Sequence, residues 1–253
     1  ATLLPEFLRG GALWFMASLA QHVGLKPQHC CRAGLLLDAL CLRMRPDSVV
    51  VHLPGICAVL VRTLMKEESC TARVRDFRPD CKQFAATLAR AGVATVEAEL
   101  DYLEVRIFQA LDWRVTGPSV HCWLLAYASR VNVMTKGAVL PLVDFALEWG
   151  TNKAAEVVRR QPLTPDQPPR TLAAGLLTLG LSASGLLPAG DGLREVLGAA
   201  GRAANSEQVS PQATGASLEL ATLQKAVRMS SEDLLRSCRA AARAFAASSS
   251  LGR

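Results

Sequence analysis

The chain has 253 residues, half of them hydrophobic, a fifth charged and only 5% aromatic. That length holds one large domain or two small ones with a core of ordinary size, and the composition excludes a disordered or fibrous chain. The net charge of +6, from 28 Lys and Arg against 22 Asp and Glu, is a mild, scattered basic bias; it suits acidic partners but does not by itself predict nucleic-acid binding.

Pro27 suits a first helical turn, where its missing N–H would be unpaired anyway. From there Cys30, Gly34, Leu37, Cys41 and Met44 recur three and four residues apart, which predicts an amphipathic helix. Residues 48–65 (SVVVHLPGICAVLVRTLM) are apolar nearly all round until Arg62. A second stripe follows an expected N-cap at Thr95 and runs through Val96, Leu100, Leu103, Ile107, Ala110 and Leu111, with Glu97, Asp101 and Glu104 on another face. Further helices are expected over Ser119–Ser129 and Ala138–Trp149. The proline-rich stretch 161–170 (QPLTPDQPPR) reads as a loop. It leads into the longest uncharged run, between Arg170 and Asp191. Four glycines, several hydroxyls and Pro188 make that run a buried helix rather than a membrane span. Residues 201–217 have the composition of a flexible insertion. A last helix starts at Ser230, with Asp233 three residues on in the manner of a capping box. Leu234, Cys238, Ala242 and Phe245 form its inward face, and Arg236, Arg239 and Arg243 a solvated basic stripe. No segment shows the alternation of a strand.

A helix with no polar face must be surrounded by others. Residues 48–65 and 171–187 are two such helices, each flanked by amphipathic ones, which predicts an all-α chain of two tandem bundles. The expected domains are 1–130 and 131–247, with the boundary near 129–137.

The eight cysteines, at 30, 31, 41, 57, 70, 81, 122 and 238, form no CxxC pair, so zinc-ribbon spacing is absent. Most lie among Leu, Val and Ala, as expected of reduced core thiols in an intracellular, reducing compartment. The start of the chain lacks the basic-then-apolar pattern of a signal peptide. No phosphate loop and no HExxH occurs, and Gly180-Leu-Ser-Ala-Ser184 misses the nucleophile elbow. His22, His29, His52 and His121 make no chelating set with neighbouring cysteines, because adjacent helical residues diverge by about 100°. Glu97, Asp101 and Glu104 are expected to form a solvated acidic face, and Arg73, Arg75, Arg78 and Lys82, with only Phe77 interleaved, a solvated basic loop. No enzyme activity, metal, cofactor or small-molecule substrate is expected.

The residues Arg9 to Leu64 resemble a cyclin box, the five-helix bundle by which cyclins hold cyclin-dependent kinases. Arg9 stands at the arginine that opens the first box helix, and Phe15 at its tryptophan. Leu25-Lys26-Pro27 is similar to the turn before the second helix, Asp38-Ala39-Leu40-Cys41 to "D-R-F/Y-L", and Val51-His52-Leu53-Pro54-Gly55 to "L-Q-L-V-G". Leu103 to Trp113 resembles "M-E-x-x-I-L-x-x-L-x-F", and Pro118-Ser119 the "P-T" after it. More weakly, Arg170 to Leu187 and Gln224 to Cys238 resemble helices of the C-terminal cyclin fold. Within the family the pattern is most similar to divergent proteins described as cyclin N-terminal-domain-containing.

The resemblance implies two tandem cyclin folds, each a five-helix bundle around a central buried helix. It implies an internal ion pair between Arg9 and Asp38, and hydrogen bonds between Glu104 and a kinase backbone. In this register the signature lysine of "A-x-K-x-E-E" is replaced by Leu64, with Arg62 and Lys66 two residues to either side. Where cell-cycle cyclins read M-R-A-I-L, this chain reads Leu8-Arg9-Gly10-Gly11-Ala12. The expected function is a non-catalytic scaffold or structural subunit of a larger assembly, for example in a cilium; the alternative is the regulatory subunit of a cyclin-dependent kinase in nucleus or cytoplasm. Arg62, Leu64, Lys66 and Glu104 are the expected partner-binding residues. Paired cyclin folds also occur in general transcription factors, but the scattered charge disfavours nucleic acid here, and no membrane partner is expected.

Overall fold

The computed structural model describes residues 4–71, 78–93, 97–115, 117–160, 168–187 and 217–249. Among them all regular structure is helical, as the absence of alternating patterns predicts. The expected cap at Thr95, the proline-rich residues 161–167, the insertion at 201–216, the basic residues at 73–77 and the side chain of Phe245 lie outside the described residues.

The chain divides into two compact units, residues 1–117 and 118–253. The division therefore falls before the helix of Ser119–Ser129 rather than within 129–137. That helix spans Val120–Met134 and packs on three helices of the second unit, so it cannot close the first.

The first unit contains α1 (Glu6–His22), α2 (Pro27–Cys41), α3 (Pro46–Val51), α4 (Leu53–Thr71), α5 (Arg78–Arg90) and α6 (Glu97–Ala110). Pro27 occupies the first position of α2, and the backbone N–H of Lys26 donates to His29 Nδ1 at 3.2 Å. The single helix expected over 48–65 is two helices. Pro54 has no N–H to give the carbonyl four residues back, and its ring crowds that turn; the chain accordingly breaks at His52. Val50 and Val51, before the break, are exposed. After it, every residue from Ile56 to Met65 is buried. α4 packs against α1, α2, α3 and α6, which makes it the central helix of this unit.

The second unit contains α7 (Val120–Met134), α8 (Leu140–Arg160), α9 (Pro169–Ala183), α10 (Leu220–Val227) and α11 (Ser231–Ser249). Ser119 caps α7, its Oγ accepting from the Cys122 N–H. Ser230 caps α11: its Oγ accepts from the Asp233 N–H at 3.1 Å and its hydroxyl donates to the Asp233 carboxylate at 2.8 Å. α9 is central here, buried from Leu172 to Leu181 and packed against α7, α8 and α11. Two glycines permit that proximity. A Cβ on Gly175 would lie 2.5 Å from the Ser237 carbonyl oxygen of α11, and one on Gly180 would lie 3.0 Å from that of Ala146 in α8. The outer face of α11 carries Arg236, Arg239 and Arg243, all exposed as the stripe predicts.

Candidate partner-binding face

The Arg9 and Asp38 side chains meet between α1 and α2. Arg9 Nε and Nη2 donate to the two Asp38 oxygens, each at 2.7 Å, and both residues are buried. This parallel, two-bond geometry is the strongest an arginine and a carboxylate adopt.

A second charged group lies where α4 meets α6. Arg62 and Lys66 are one turn apart on α4, and Asp101 and Glu104 one turn apart on α6, so the two pairs face each other. Arg62 Nη2 donates to Asp101 Oδ1 at 2.6 Å and to Glu104 Oε2. Lys66 Nζ donates to both Glu104 oxygens, at 2.8 and 2.7 Å. The Arg62 and Glu104 side chains are only 6% and 11% exposed, whereas Lys66 and Asp101 are 41% and 63% exposed. Burial acts to lower the Arg62 pKa, and the hydrogen bonds and charges of Asp101 and Glu104 outweigh it, holding the guanidinium above its ordinary value. The network thus has a buried Arg62–Glu104 base and a wet Lys66–Asp101 rim.

This arrangement corrects two expectations. Leu64 is no partner contact: it points away from Arg62 and Lys66 into the core and is 1% exposed. The cation that meets Glu104 at the rim is Lys66, two residues along. Nor are Asp101 and Glu104 a purely solvated acidic face, since both are engaged by α4 cations. The spacing of Arg62 and Lys66, one turn apart on α4, was the sequence signal for this. Asp101 had no place in the expected site.

Beside the rim, α6 presents Tyr102 and Val105 to solvent, 65% and 47% exposed. Arg106 steadies Tyr102, donating to its hydroxyl at 3.0 Å and stacking over its ring. On α1, Arg9 and Ala12 are buried, while Phe7, Gly11 and Trp14 are exposed, so the Leu8–Ala12 stretch offers less apolar surface than its flanks. Arg32 of α2 also contacts α4, donating to Glu67 at 2.5 Å and to the Val115 carbonyl at 2.8 Å.

Burial pushes the thiols of Cys31, Cys57 and Cys238 up to about 12. Among the described residues no group of three or more His, Cys, Asp and Glu could hold a metal ion, and no helix is long and apolar enough to cross a membrane. Compared with known proteins, the chain matches no family model, no curated protein and no solved structure.

Proposed function

We propose that the chain is a non-catalytic, cyclin-like protein-binding module made of two tandem cyclin folds, and that it docks a protein partner on the α4–α6 rim formed by Lys66, Asp101, Tyr102 and Val105. The observation that carries this reading is the Lys66–Glu104 contact at 2.7 Å. It sets a half-exposed ammonium on a buried carboxylate, beside exposed tyrosine and valine. Tyrosine is enriched at docking centres, and here it stands beside a fixed charge. The Arg9–Asp38 pair and the buried central helices support the cyclin-fold part of the proposal.

Between the two partner classes, a large assembly and a cyclin-dependent kinase, the rim favours the kinase. The leucine in the lysine register argued against it. With Leu64 in the core and Lys66 on Glu104, that argument weakens, because the ammonium has three donors, gives two to Glu104 and keeps one for a partner's carbonyl. Glu104 itself is enclosed, so Lys66 and not Glu104 is the group a partner meets first. The test is direct binding of the purified chain to a panel of cyclin-dependent kinases, repeated with Val105→Glu. Retention of one kinase, lost in the variant, supports the kinase reading. Binding of no kinase in the panel would overturn the kinase reading and leave the scaffold reading in its place.

A further inference from the structure

The second unit has a cleft of about 780 Å3 where the start of α9, the end of α10 and the first turn of α11 meet. Four cations line it, Arg170, Lys225, Arg228 and Arg236, against one carboxylate, Asp233. Arg236 is matched by Glu232 at 3.0 Å and Asp233 at 3.2 Å. Arg170, Lys225 and Arg228 have no carboxylate partner among the described residues.

Two details separate this cluster from an ordinary solvated surface. Arg170 is held in place by groups that carry no negative charge. Its Nε donates to the Tyr127 hydroxyl at 3.1 Å, its Nη2 to the Arg228 carbonyl at 3.2 Å, and its guanidinium lies 5.8 Å from the Trp123 ring centre. A guanidinium has five N–H groups, so three remain for a ligand that finds the group already positioned. Arg228, in turn, ends α10 in the left-handed conformation, at φ 55° and ψ 51°. Glycine is the natural occupant of such a cap, and an L side chain there is strained. Strain of this kind persists only where the surrounding structure fixes it, and it clusters at binding sites.

We propose that this cleft binds a phosphorylated side chain of a protein partner, with the phosphate held by Arg170, Lys225 and Arg228. A phosphate ester carries a charge of about −1.5 to −2 at pH 7 and three acceptor oxygens, which suits three cations with no carboxylate partner among the described residues better than a single carboxylate does. Pro168, Ala221 and Met229 give the cleft an apolar wall for flanking residues of the partner. The proposal takes the partner's class from the protein-binding reading, but it rests on a different unit and different residues. Its test involves no kinase and can fail alone.

The test is calorimetric titration of the full chain with inorganic phosphate, with a five-residue alanine peptide bearing a central phosphoserine, and with its unphosphorylated counterpart. Phosphate and the phosphopeptide should bind, the phosphopeptide more tightly, and the unphosphorylated peptide should not. Lys225→Gln and Arg228→Gly should each weaken binding about tenfold, the worth of one charge-assisted contact. Arg243→Ala, an exposed cation outside the cleft, should leave it unchanged. Arg228→Gly relieves a left-handed arginine, so it should melt no lower than wild type, and its loss of binding cannot be ascribed to misfolding. Equal binding of both peptides, undiminished affinity in Arg228→Gly, or phosphate binding with no gain from the peptide would each overturn the proposal.

Discussion

Removing the Asp38 carboxylate strips the buried Arg9 guanidinium of two 2.7 Å charge-assisted bonds. The side chains are 4% and 8% exposed, so water cannot replace the lost partner. Breaking one side of a buried ion pair costs roughly 3–5 kcal/mol. That is about a hundredfold to several thousandfold in the ratio of folded to unfolded chain. For a unit near a hundred residues, each kcal/mol moves the midpoint by about 4–8 °C. Asp38→Ala should therefore lower the melting transition of the first unit by more than about 10 °C. The assay is calorimetric melting of wild type, Asp38→Ala and Gln109→Ala, the last an exposed change in the same unit. Replacing both partners with apolar residues, Arg9→Met with Asp38→Leu, should recover most of the loss, because no charge then stays in the core. An Asp38→Ala midpoint equal to that of Gln109→Ala would show that the pair does not hold α1 to α2.

Gly175→Ala forces a Cβ to 2.5 Å from the Ser237 carbonyl oxygen and 2.7 Å from its carbon, both backbone, and should cost about 2 kcal/mol or more in urea melts. Gly11→Ala meets nothing within 4 Å and should stabilise by about 0.5–1 kcal/mol, the usual gain from alanine in a helix. Glu104→Ala leaves Arg62 with only the exposed Asp101 and should destabilise by about 2–3 kcal/mol in the same melts. Alkylation of the native protein near pH 8 should label the exposed Cys122 and spare Cys31, Cys57 and Cys238, whose burial holds them at about 12. Because those folded thiols ionise above the ordinary value of 9.0, their contribution to stability is intact below pH 9. It falls as pH rises from there towards 12, where the unfolded chain loses its thiol protons first.

Where the sequence pattern depends on burial alone, it was readable. Ile56 to Met65 and Leu172 to Leu181 have no polar face, and they are the cores of the two units. The break at His52 was legible in Pro54 but was overridden by the continuous apolar run. The boundary at Gly117–Pro118 was not legible, because helix patterns say which face is buried and not against which neighbour. Arg9 with Asp38 came from the cyclin resemblance, since their separation of 29 residues carries no periodic signal. The same resemblance placed Leu64 on the partner face, where helical geometry already turned it away from Arg62 and Lys66. The basic cleft draws on α9, α10 and α11, and the backbone strain at Arg228 exists only in three dimensions.

The central proposal is that a cyclin-dependent kinase docks on the α4–α6 rim. Its most direct test is to measure binding of immobilised wild type, Tyr102→Ala and Val105→Glu to a panel of cyclin-dependent kinases, both substitutions being at exposed positions of α6, with circular dichroism and melting to show that each variant is folded. The account predicts that at least one kinase binds the wild type and is lost from both variants, while their melting stays within a few degrees of wild type. Kinase binding that survives both substitutions, or no kinase binding to any of the three proteins, would contradict it.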